Sequence, residues 1–352
     1  MRIHSLTSLV AATITATAVL SGCTPPANDK GAGGQPAVKT QALDCGRDLS
    51  TDDVLNYPVP KANKPYRITL LMISLAGYYY NGVVWGAKQA AEQAGVDLSV
   101  VAAQGFATAP EQITQAENAL TRGTDAIVLN PVDVNASAPI VDMASQRGVP
   151  TIVVGTMVNT DKAAGQIVQD DYKQGQAAAD ALAQRLPNGG KGILMAGPAN
   201  ATWAVGRATG FQDRLKEKYP NLTISSTVNS NVDPGEGLAK FTNATSSTPQ
   251  VDWIYTATNL LLPPASIPAQ YKKAVLVAGG LDPSTHDAVA SGEAAVIPDW
   301  PVNVGYIGIA EAVNTLNGTP AGKLTCLPSP VVSADELDTP LGQKQFYPWK
   351  VS

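Results

Sequence analysis

Two groups of side chains in this chain are equipped to hold a small polar molecule. One is aromatic, at Tyr78, Tyr79, Tyr80, Trp203 and Trp300; the other is acidic, at Asp170, Asp171 and Asp299. Aromatic faces stack on the apolar face of a sugar ring, and they attract a methylated cation with up to about 2 kcal/mol when desolvated. Carboxylates accept hydrogen bonds from ligand O–H and N–H groups, and Thr258 with Asn259 adds a hydroxyl and an amide. Each group also has a plainer role open to it. The tyrosines can cap a sheet edge or pack a hinge, and Trp203 and Trp300 are lone aromatics in predicted loops at strand ends. Asp170 and Asp171 can cap a helix beginning at Tyr172, and Asn130 to Asp133 can simply make a turn. Catalysis has little to work with. Once residues 1–22 are removed, His286 is the only histidine, which leaves a single base for any nucleophile and too few ligands for a metal cluster. Gly197–Pro198 precedes a helix, but it carries no glycine-rich fingerprint and no Lys-Ser or Lys-Thr pair for a nucleotide. We therefore expect a binding protein with no enzymatic activity, metal or cofactor.

The elements that must position these groups alternate between strand and helix. Short apolar strands are expected at 68–74, 98–102, 126–129, 151–154, 192–196, 222–228, 253–256 and 274–277. Helical spacing is expected at 82–94, 110–122, 135–147, 170–186 and 205–219, with Gly95, Gly123 and Gly148 closing the first three. Strands apolar along their whole length are buried on both faces, so the expected fold is α/β, with parallel sheets covered by helices on both sides. Ligands of such sheets sit beyond the carboxyl ends of the strands. The tyrosines fall in one such loop, at 75–81, and Thr258 falls in another, at 256–260.

The N-terminus speaks to location. Arg2 and the apolar run from Ser8 end in Leu20–Ser21–Gly22–Cys23, the form of a lipoprotein signal peptide, with Cys23 as the lipidated residue after cleavage. An uncleaved membrane anchor is the other reading, and both give an exported chain tethered to the outer face of the cell membrane. Residues 23–65 begin with a Pro- and Gly-rich tether, and the folded part is expected from about Tyr66. The 330 residues left after cleavage exceed what one core normally supports, so two lobes are expected. Net charge is −5 and becomes −6 without Arg2; with no basic run, nucleic acid is excluded as a partner. With Cys23 lipidated, Cys45 and Cys326 are a natural disulfide pair in an oxidising compartment, two separate buried thiols being the alternative.

Three segments carry a resemblance: 67–74, Gln115–Asp133 with its Asp-Ala-Ile-Val-Leu-Asn-Pro core, and Arg147–Val154. They closely resemble the type I periplasmic binding proteins of the ribose and galactose kind, a likeness that runs over about residues 66–330. It implies two Rossmann-like lobes with a hinge crossed three times and a ligand cleft between them. The lobes would comprise 66–168 with 300–328, and 169–299 with 329–352. It further implies that Tyr79, Tyr80, Asp171, Trp203, Thr258, Asp299 and Trp300 contact the ligand. Where sugar binders of the family carry an Asp-Arg pair, this chain has Gly155–Thr156, and Arg207 falls two positions past a sugar-binding arginine. The expected function is capture of a sugar or polyol for delivery to an ABC importer permease. A looser resemblance, carried by Ser74–Tyr80, Asp97–Gly105 and the tail Gln345–Ser352, is to TorT-like periplasmic proteins. Those present a methylated amine N-oxide to a sensor histidine kinase, which supplies the alternative function.

Overall fold

A computed structural model describes residues 41–105, 108–246, 250–320 and 322–347. Cys23, the signal segment, the tether to Thr40 and the last five residues lie outside the described residues. In chain order the first half runs β1 (Arg47–Asp48), α1 (Thr51–Leu55), β2 (Arg67–Met72), α2 (Tyr78–Ala94), β3 (Asp97–Ala102), α3 (Ala109–Thr121), β4 (Ala126–Leu129), α4 (Ala138–Gln146), β5 (Thr151–Gly155) and β6 (Gly165–Gln169). There follow α5 (Asp171–Arg185), β7 (Gly190–Met195), α6 (Thr202–Lys218), β8 (Leu222–Val228), α7 (Pro234–Ser246), β9 (Trp253–Thr256), β10 (Val275–Gly279), α8 (Pro283–Ala290) and β11 (Ala294–Ile297). The chain closes with α9 (Pro301–Leu316), β12 (Leu324–Leu327), α10 (Ala334–Leu337) and α11 (Pro340–Gln343).

Two parallel sheets result, in the orders β1-β12-β6-β5-β4-β2-β3 and β11-β10-β9-β7-β8. Every residue of β4, β9 and β11 is buried, as expected of strands covered on both faces. The first sheet is sandwiched between α2 with α9 and α3 with α4; the second lies between α5 with α6 and α7 with α8. Glycines set how closely the helices approach. A Cβ on Gly86 would lie 1.9 Å from the Val302 carbonyl oxygen, and one on Gly210 would lie 2.0 Å from that of Tyr172, so α2 with α9 and α5 with α6 meet backbone to backbone.

The chain passes between the lobes at Gln169–Asp171, at Pro298–Trp300 and after Leu327, and side chains tie these crossings together. Gln169 Nε2 donates to the Pro298 carbonyl at 2.9 Å, and Trp300 Nε1 donates to the Pro328 carbonyl at 2.8 Å.

The structure departs from the sequence reading at both ends of the fold. Order begins before Tyr66: β1 pairs with β12, and Leu49, Val54 and Tyr57 are buried in the first core. A two-residue strand and three scattered apolar residues carry no periodic signal. Cys45 and Cys326 are joined, their Cα atoms 5.9 Å apart, beside that added strand. At the other end, the segment 329–352, expected in the second lobe, comes back to the first at Lys344, whose Nζ donates to the Leu55 carbonyl, and at Tyr347, which packs on Tyr78.

Candidate ligand-binding cleft

A cavity of about 170 Å³ lies between the lobes at the carboxyl ends of the strands. A single water needs only roughly 10–15 Å³ of such space, so the cavity has room for a small molecule. Six of the seven residues singled out from sequence line it: Tyr79, Tyr80, Asp171, Trp203, Thr258 and Asp299. The seventh does not. Trp300 is fully buried in the core of the first lobe, its indole spent on the Pro328 carbonyl. Its backbone is left-handed at φ 53°, the single such non-glycine among the described residues. That conformation turns the ring away from the cleft and into the hinge.

The first lobe contributes an aromatic wall. Tyr78, Tyr79 and Tyr80 occupy the first turn of α2 and not a loop, and the rings of Tyr79 and Tyr80 meet edge to face at 5.4 Å. Burial, reinforced by Asp299, raises the Tyr79 phenol well above its ordinary range, and burial lifts Tyr80 to about 12. Both therefore remain protonated near neutrality. Gly155, which stands where the resemblance leads one to expect a charged pair, has φ +82° and no room for a side chain. A Cβ there would lie 2.9 Å from both the Tyr79 hydroxyl and Asn130 Nδ2. Tyr79 and Asn130 thus fill the space that a side chain at this position would need. Asn130 Nδ2 donates to the Val154 carbonyl, while its Oδ1 is buried with no partner among the described residues.

The second lobe supplies charge, centred on Arg207 of α6. Its Nε donates to Asp171 Oδ1 at 2.9 Å, Nη1 donates to the Ala257 carbonyl at 2.9 Å, and Nη2 lies 3.0 Å from Asp299 Oδ1. The Trp203 ring covers it, with Cζ 5.2 Å from the ring centre. Burial works against the guanidinium charge, but Asp299 and Asp171 more than offset it and raise its pKa above the ordinary range. Burial pushes Asp171 up to about 6 in spite of Arg207 beside it, with Asp299 adding to the rise. Close packing of α5 on α6 fixes the pair: a Cβ on Gly206 would already stand 2.9 Å from the Cβ of Asp171. Asp170, by contrast, is a cap. It accepts from the backbone N–H groups of Lys173 and Leu43 and faces away from ligand chemistry. Asp133 likewise serves its turn, accepting from the backbone N–H groups of Asn135 and Ala136.

The side-chain N–H donors around the cavity are largely spent inside the protein. Arg207 is committed as above, Gln169 to Pro298, Gln174 to Asp299 at 3.1 Å, and Asn259 to Asp282 and Ser284 at 2.8 and 3.0 Å. Thr258 donates weakly to Asn259 Oδ1 at 3.5 Å. What remains for a ligand is chiefly oxygen: the second oxygens of Asp171 and Asp299 and Asn130 Oδ1, with the Tyr79 and Tyr80 hydroxyls and the remaining terminal hydrogens of Arg207 as donors. The sequence reading noted Arg207 only as a displaced sugar ligand and missed it as the holder of two carboxylates. The available signal was the glycine spacing, with Gly206 and Gly210 on one helix opposite Gly175 on the other.

Comparison with known proteins agrees with this architecture. Residues 68–320 match the periplasmic binding protein domain family. The chain is 26% identical over 255 residues to the ribose import binding protein RbsB of Escherichia coli (strain K12), covering 71% of this chain and 85% of that protein. It is 28% identical over 144 residues to the xylitol-binding protein of Mycolicibacterium smegmatis, a match spanning 41% of each chain. In fold it resembles a sugar ABC transport substrate-binding protein from Bordetella parapertussis 12822, with a TM-score of 0.77 at 21% identity over 85% of this chain and 100% of that one. The chain belongs to the periplasmic binding protein family.

Proposed function

We propose that this protein captures a neutral sugar or polyol between its lobes and delivers it to an ABC importer, tethered outside the cell membrane by lipid on Cys23. The observation that carries the ligand class is the imbalance of donors and acceptors in the cleft. Two carboxylates flank one arginine that already spends its Nε–H and one hydrogen of each terminal nitrogen on them and on the Ala257 carbonyl, so a ligand that brings its own O–H groups matches the carboxylate oxygens left over. Hydroxyls satisfy the free oxygens of Asp171 and Asp299 and the orphaned Asn130 Oδ1, while Tyr79 and Tyr80 cover an apolar C–H face. A uronate or phosphorylated sugar would set its own negative charge against the two carboxylates. The names of relatives that bind ribose and xylitol support the same class. The lipid tether is supported by Leu20–Ser21–Gly22–Cys23 alone. Closure follows from differential affinity: a ligand touching both walls stabilises the state in which the walls are close.

The raised pKa of Asp171 gives a test with a definite sign. In the ligand-free protein the folded state binds this proton more readily than the unfolded chain. Its contribution to stability is therefore complete below the unfolded value near 3.8 and is lost as pH rises through about 6. Binding runs the other way, because a ligand hydroxyl needs the ionised carboxylate. Calorimetric titration with ribose and xylitol is expected to give an affinity about tenfold weaker at pH 5 than at pH 8. In Asp171→Asn that dependence should flatten. Equal affinity at the two pH values in the unaltered protein would remove Asp171 from the site.

A further inference from the structure

We infer that residues Gln345–Tyr347 form a fourth crossing between the lobes, a strap at the edge of the cleft that resists opening and holds Tyr78 against the cavity. Tyr78 and Asp282 line the cavity from opposite lobes, and the C-terminal segment touches both lobes beside them. After α10 has packed in the second core through Leu337, Leu341 touches both cores. Phe346 then lies edge-on to His286 of α8, with centroids 5.4 Å apart, and packs on the second core, while also lining a surface pocket with Trp85 and Val302 of the first lobe. The very next residue, Tyr347, belongs to the first lobe. Its ring lies 4.4 Å from that of Tyr78 and is stacked on Trp85 at 6.3 Å. Its hydroxyl donates to the Tyr78 carbonyl, and the Tyr78 hydroxyl donates back to the Gln345 carbonyl at 3.0 Å.

The geometry leaves no slack. Consecutive Cα atoms are about 3.8 Å apart, so Phe346 and Tyr347 cannot stay on opposite lobes once the lobes separate there. With Lys344 also tied to the Leu55 carbonyl of the first lobe, the contacts of Lys344, Phe346 and Tyr347 cannot all persist when the cleft opens. Gly82 shows that the docking is close: a Cβ at that position would stand 3.0 Å from the Tyr347 ring. Because Tyr78 itself lines the cavity, the strap also fixes one end of the aromatic wall. Tyr347 is thus a positioning residue, acting on the ligand through Tyr78 and through the lobes.

The test needs no ligand, so its failure is separate from failure of the proposed function; only the consequence for ligand release rests on that reading. Spin labels placed by Ala136→Cys and Asn229→Cys, both exposed and on opposite lobes, report the interlobe distance in the full chain carrying Cys23→Ala, with Cys45–Cys326 left bonded. Tyr347→Ala and Phe346→Ala are each expected to broaden the distribution toward longer distances. The double variant should go no further than Phe346→Ala, since loss of the second-lobe pin leaves Tyr347 nothing to hold across the cleft, whereas Tyr347→Ala keeps the Lys344 tie to Leu55. Tyr347→Phe, which keeps the ring and loses only the hydroxyl, should fall between. If the proposed function holds, xylitol or ribose leaves Tyr347→Ala roughly threefold to tenfold faster, the worth of an aromatic pair. Distributions identical to the unaltered chain in both single variants, or a double variant whose shift is the sum of the two, would overturn the strap.

Discussion

Arg207→Ala is expected to lower the free energy of unfolding by about 3–5 kcal/mol, the usual cost of stranding a buried ion-pair partner, and to abolish ligand binding. Asp171 and Asp299 would be left facing each other in a site only 28% and 16% exposed, with no positive charge between them. The loss separates into two parts that a second variant resolves. Combining Arg207→Met with Asp171→Asn and Asp299→Asn strands no charge, and should recover much of the stability measured by urea unfolding. It should not recover full affinity, because neutral amide oxygens replace the charge-assisted carboxylate acceptors. If Arg207→Ala were as stable as the unaltered chain, the three charges would not form one buried unit. If the triple variant bound sugar normally, the acceptor account of the cleft would fail.

Trp300→Ala is the second large effect, at about 3–5 kcal/mol for removing a fully buried indole. The tryptophan fills the first core, and its N–H joins the second hinge crossing to the third. Ring burial over-determines the left-handed backbone at this position, where strain of about 1–3 kcal/mol is otherwise uncompensated. Trp300→Phe should lose less stability and leave the affinity for ribose or xylitol near that of the unaltered protein. Loss of affinity in Trp300→Phe at unchanged stability would return the residue to the ligand, as the sequence had suggested.

That one misplacement shows where sequence reasoning reaches and where it stops. The uninterrupted apolar strands, β4 and β9 above all, were legible because burial on both faces writes itself as composition. Their carboxyl ends led directly to Tyr79, Tyr80 and Thr258, by the rule for ligand placement in parallel sheets. β6 was not legible: Gln166 and Gln169 interrupt it, and both are buried because their side chains bond to Val158 and Pro298. Three tyrosines in a row have no amphipathic period, so the first turn of α2 read as a loop. Asp170 and Asp171 are neighbours of one type, and only geometry assigns the first to a helix cap and the second to the cleft. Trp300 stands beside Asp299 in sequence, but its positive φ sends the two side chains to opposite sides of the hinge.

A cleft of this chemistry is expected to hold a neutral, hydroxyl-rich molecule. The most direct test is the unfolding midpoint of the protein against ribose, arabinose, xylitol, glucuronate and trimethylamine N-oxide. A ligand that binds only the folded state stabilises it by about 2.7 kcal/mol at a hundred times its dissociation constant, which is a clear rise in midpoint. A rise is expected with at least one of the neutral sugars or xylitol, and none with glucuronate. A rise confined to glucuronate or to the N-oxide would contradict it.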